Sequence, residues 1–116
     1  MSFDLAFWYE EVPSTVDQAV RIYLRLVDGE PGVLSSSPQV EAFFEDLVAI
    51  FGDLDEKTMD YSPWTAPLEA GHGEGVLVCI AWSRCQEMTP LLVGLAHEHD
   101  VTVFDPQDRN VWSPPR

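Results

Sequence analysis

Five side chains in this sequence are of the kinds that ligate metals or attack carbonyl carbons: His72, Cys79, Cys85, His97 and His99. Their spacing decides against most such chemistry. Zinc sites draw paired ligands from close in sequence, and no such pair of pairs exists here. His97 and His99 are two residues apart, so a helix would point them to different faces. Surface and helix-end histidines are the expectation, with no metal and no cofactor. Asp53-Leu54-Asp55-Glu56-Lys57 begins like a calcium loop. It lacks the central glycine and the closing bidentate glutamate. The glycines at 71, 73 and 75 come without the lysine and hydroxyl of a phosphate-binding loop, so a hairpin turn is the better reading. One nucleophile is conceivable. Cys85 follows Ser83 at a candidate helix start, where the dipole lowers a thiol pKa. It would need a base such as His97 beside it. That thiol-dependent enzyme or ligand-binding domain is the alternative reading; the leading one assigns no catalytic residue.

Charge is the stronger signal. Twenty acidic residues face six basic ones in 116 residues, a formal net charge of −14. Such a surface repels nucleic acid and anionic lipid. It suits a basic protein partner. Residues 41–60 hold seven acidic side chains and one lysine, with Tyr61 and Trp64 just beyond. Aromatic anchors inside a charged rim are the pattern of interface hot spots, and acidic charge steers a basic partner into contact. The candidate partner-binding residues are therefore Glu45, Asp46, Asp53, Asp55, Glu56, Asp60, Tyr61 and Trp64.

These residues need a scaffold. Residues 76–82 form an unbroken apolar run, V-L-V-C-I-A-W, too short to cross a membrane and rich in β-branched types. The pattern predicts a strand buried on both faces. Residues 3–9 alternate, with Phe3, Leu5, Phe7 and Tyr9 on one face and Ala6 and Trp8 on the other. Ser14 or Thr15 can cap a helix carrying Ala19, Ile22, Tyr23 and Leu26, with Gly29 as its stop. Ser37-Pro38 opens a second, with Val40, Phe43, Phe44, Leu47 and Phe51 inward and Gly52 at its end. Residues 64–71 can form a short strand that Pro67 confines to an edge. Pro90 favours irregular structure to Met88, then a helix to about His99. Residues 101–104 make the last full strand, and Val111-Trp112 pairs back on it.

The order strand, helix, helix, strand, strand, helix, strand predicts one α+β domain over residues 1–116, with 113–116 as a flexible tail. The expected architecture is a two-layer, ferredoxin-like sandwich: a four-stranded, mainly antiparallel sheet with its helices on one face. The first and third strands would be central. Their second face is apolar too, through Ala6 and Trp8, and so needs a cover: the 53–64 loop, the segment around Trp112, a second copy or another protein. A homodimer through this face is one expectation. Base stacking on it is excluded by the lack of basic charge. Two cysteines and an N-terminus without a basic, apolar leader suggest a cytoplasmic protein.

The opening F-D-L-A-F-W at residues 3–8 and the closing F-D-P-Q at 104–107, followed by Val111, resemble a group of small bacterial proteins associated with toxin–immunity loci. The resemblance covers both ends and the general layout. It implies a non-enzymatic immunity protein that binds a toxin domain, often a basic nuclease, and blocks it. It carries over no site residues, because such proteins vary most where they bind.

Overall fold

Alternation along the first strand decides how the chain is layered. The computed structural model describes residues 2–57, 60, 62–70 and 74–115. In it, β1 (Ser2–Trp8) sends Phe3, Leu5 and Phe7 to one side of the sheet, and Ala6 and Trp8 to the other. It pairs antiparallel with β3 (Gly75–Ala81), Leu5 opposite Val78 and Ala6 opposite Leu77. On its other edge lies β4 (Thr102–Asp105), also antiparallel. The short β2 (Glu69–Ala70) flanks β3, and β5 (Asn110–Trp112) flanks β4. The order is β2-β3-β1-β4-β5, five strands among the described residues. After Trp112, Pro114 is buried.

Local signals set the helix ends. In α1 (Val16–Val27), Thr15 accepts from the Gln18 backbone and Gln18 reaches back to Thr15, a complete capping box. At the other end Gly29 has φ +73°, with Gly29 N–H bonded to Leu26 and Glu30 N–H to Arg25. That is a Schellman stop, which needs a left-handed residue. In α2 (Pro38–Phe51), Ser37 caps Val40 N–H and proline takes the first helical position.

The third helix starts earlier than the sequence suggests. A 3₁₀ turn (Trp82–Arg84) runs straight into α3 (Cys85–Glu98), which contains Pro90. Proline removes one helical hydrogen bond and crowds the preceding turn. Here that turn is the first of the helix, at exposed Gln86, and the Thr89 hydroxyl donates to Cys85 O at 2.7 Å. The cost is therefore low enough for the helix to run through.

The expected two-layer arrangement, with all helices on one face, does not hold. α2 and α3 cover the Leu5/Phe7 side with Val40, Phe43, Leu47, Met88, Leu92 and Leu95. α1 covers the Ala6/Trp8 side with Ala19, Ile22, Tyr23 and Leu26. The physical reason is the one that made a cover necessary: β1 and β3 are apolar on both sides, and α1 carries the stripe that matches the second. Trp8 is fully buried, and its indole donates to Glu10 at 2.6 Å. The cover that the Trp8 face needs is thus supplied by α1 of the same chain.

Candidate functional site

The acidic segment is built on α2 and the loop that follows. On α2, the core positions Val40, Phe43 and Leu47 leave Glu41, Glu45, Asp46 and Ile50 outside, a helical turn apart. Ile50, near the C-terminal end of the helix, is 61% exposed. Gly52 closes the helix with φ 71° and ψ 172°, a conformation open to glycine alone. Asp53 then organises the turn: its Oδ1 accepts from Leu54 N–H at 2.7 Å and from Leu68 N–H at 2.9 Å. Asp55 Oδ1 accepts from Lys57 N–H at 2.8 Å. Asp46 meets His99 Nε2 at 2.7 Å. Glu45, Glu56 and Asp60 are exposed. Tyr61 lies outside the described residues, as does His72.

The expected residues thus divide. Asp46, Asp53 and Asp55 hold structure as well as charge, whereas Glu45, Glu56 and Asp60 point charge at solvent. Trp64 does not serve as an exposed anchor. It is 3% exposed, packs edge-on against Phe51 and donates its indole N–H to Gly52 O at 2.7 Å. Its backbone bridges to Ile80, and the flanking bonds Thr65 N–H to Cys79 O and Ala81 N–H to Pro63 O extend the sheet edge past Pro67. Trp64 is the internal brace of the acidic loop.

The aromatic residue that sequence reasoning missed is Trp82. The apolar run 76–82 predicts it buried, but β3 ends at Ala81 and Trp82 is 49% exposed, edge-on to Phe3 with ring centroids 5.7 Å apart. The residues after it, Ser83 and Arg84, line an open cleft with Leu54, Asp60 and Ser62. Trp82 thus adjoins this cleft along the chain, while its ring contact is with Phe3. The one signal available was Ser83 after an apolar run, a turn-forming type that could end the strand early.

The Cys85–His97 pair that the thiol alternative names is not formed. Cys85 opens α3 and His97 sits in its last turn. Twelve residues of helix rise place them about 18 Å apart. The ring of His97 meets Trp112 O at 3.1 Å, which locks β5 against the helix. Neither cysteine is in a disulfide. Among the described residues, no group of three His, Cys, Asp or Glu side chains could hold a metal ion.

Two basic side chains, Lys57 in the loop and Arg84 in the cleft, lie within this region. Arg21 and Arg25 project from α1, and Arg25 is paired with Glu30 at 2.9 Å. The hydrogen bond from Arg25 lowers the Glu30 carboxyl pKa, and the same bond raises that of Arg25. The acidic side is thus opposite the helix that carries two of the six basic residues. Comparison with family models, curated proteins and solved structures finds no match to this chain.

Proposed function

We propose that this chain is a non-enzymatic, acidic protein-binding module that docks a basic protein through α2, the 53–60 loop and Trp82. The observation that carries this reading is the half-exposed Trp82, which immediately precedes two residues of a cleft also lined by Asp60, with exposed Ile50 at the C-terminal end of α2. Apolar anchors within a charged rim supply affinity, and the rim supplies fast, selective encounter. An immunity protein that neutralises a basic toxin domain fits both this surface and the resemblance at the two ends of the chain. A cytoplasmic setting goes with that role. No helix among the described residues is long and apolar enough to cross a membrane. For the scaffold we infer a ferredoxin-like ancestry, with β5 added at one edge and α1 on the opposite face; central β1 and β3 support it.

The test is co-purification with the basic C-terminal domain of a secreted protein encoded beside this chain. A complex that weakens steeply with salt and is lost in a Trp82→Ala, Glu56→Lys, Asp60→Lys variant is expected. A complex indifferent to all three substitutions would show that another surface binds.

A further inference from the structure

On the opposite side of the sheet, α1 does not cover everything. Past the Trp8 cluster, the floor of β1 and β3 is open where Asp4 stands opposite Cys79 in register. Tyr23 and Val27 of α1 wall one side, and Ala66 and Pro67 the other. They enclose a cavity of about 250 Å³. That is a little below the range of about 300–1,000 Å³ common for drug-sized ligands, so a small occupant fits.

The lining has one chemical bias. Val27, Pro67 and Leu77 are apolar, Asp4 supplies a carboxylate, and among the described residues no lysine, arginine or histidine faces in. The Gln107 side chain brackets the Asp4 backbone, accepting from its N–H at 2.6 Å and donating to its carbonyl at 2.8 Å. The strand is thus held in place where β4 no longer pairs with it. Ser2 Oγ donates to one Asp4 oxygen at 2.9 Å. A carboxylate so positioned, with an apolar wall beside it, complements a cation on an apolar stem.

We propose that this cavity binds an alkylammonium group, its charge against Asp4 and its carbon chain along Leu77, Val27 and Pro67. Burial first, then the negative charges of Asp4 and Cys79, raise the Tyr23 phenol above its ordinary 10.0. Tyr23 therefore keeps its proton at neutral pH and offers a neutral hydroxyl near the cation. The site is separate from the acidic face and stands whether or not that face binds a protein.

Three probes with one six-carbon body test it: hexylamine, 1-hexanol and hexanoate. Amide shifts are followed in the full chain, together with the rate at which N-ethylmaleimide alkylates Cys79 in a Cys85→Ser background. Hexylamine should shift resonances of residues 4, 77 and 79 and slow alkylation. Asp4→Asn should weaken it by about tenfold, as expected for a lost charge-assisted hydrogen bond. Val27→Trp, made at a half-exposed position that the fold does not depend on, should block the cavity. Free amines and lysine side chains share this chemistry. Nα-acetyl-lysine methylamide binding as well as hexylamine would identify a protein lysine as the source; hexylamine alone would identify a free amine. Equal shifts from all three head groups, no shift from hexylamine, or unchanged hexylamine affinity in Val27→Trp would overturn the assignment.

Discussion

Both sides of the sheet are apolar, but they are covered unequally. Among the described residues, the Leu5/Phe7 side is closed by two helices and the Trp64 brace around a cluster of sixteen buried residues; the Ala6/Trp8 side has one helix and a cluster of four. The thick side holds the greater part of the core. Its outer surface can then carry like charges, each costing a few tenths of a kcal/mol, without endangering the fold. The thin side depends on few residues, and where its single helix falls short it leaves a cavity. The lesson is that the charge and the cavity come from one asymmetry in how helices were distributed over the sheet.

The largest effect that probes this contrast is Trp8→Ala. It removes the biggest side chain of the thin side, and we expect a loss of about 3–5 kcal/mol in denaturant unfolding. Hydrogen exchange should then speed first in α1, with α2 and α3 still protected. Uniform loss of protection would mean that the two sides do not differ in dependence. Next comes Asp53→Ala, on the thick side. It strips acceptors from Leu54 and Leu68 N–H and should cost about 1 kcal/mol. An unchanged midpoint would reduce Asp53 to a surface charge.

Smaller still is Thr102→Val. Thr102 is fully buried opposite Trp8, and its hydroxyl has no hydrogen-bond partner among the described residues. Replacing it with an apolar residue of the same shape should leave stability unchanged or raise it by about 1 kcal/mol, read as a higher Tm. A clear drop would reveal a partner for that hydroxyl. The smallest effect is in titration. The raised Tyr23 pKa means that the folded chain holds this proton more tightly than the unfolded chain does. Its contribution to stability is complete below the unfolded value near 10 and fades as pH rises through the folded value. Absorbance at high pH should show one tyrosine titrating late, and Asp4→Asn should bring it part of the way back.

Much of the scaffold was legible because it is local. Thr15 with Gln18, Ser37 with Pro38, and the stops at Gly29 and Gly52 all state their roles within a few residues. The apolar back of β1 also announced that a cover was needed. Which element supplied it was not legible, because an amphipathic helix shows that it has a buried face and not which side of a sheet receives it. The two tryptophans exchanged roles for a similar reason. Trp64 sits among polar residues and reads as surface, yet its indole meets Gly52 O inside the loop. Trp82 ends an apolar run and reads as core, yet the strand stops one residue before it. Hydrophobicity does not mark where a ladder of hydrogen bonds ends. The carboxylates of the candidate surface were placed by composition alone, and only coordinates separate Asp46 and Asp53, which hold structure, from Glu56 and Asp60.

The most direct measurement is the association rate of a co-purifying basic domain at several salt concentrations, for two charge-reversed forms. One carries Glu45→Lys, Glu56→Lys and Asp60→Lys; the other carries Asp17→Lys and Asp28→Lys on α1. We expect the first to slow association by about tenfold or more at low salt and to flatten its salt dependence, with the second close to wild type. Equal slowing by both forms, or by neither, would contradict a binding surface confined to the α2 side.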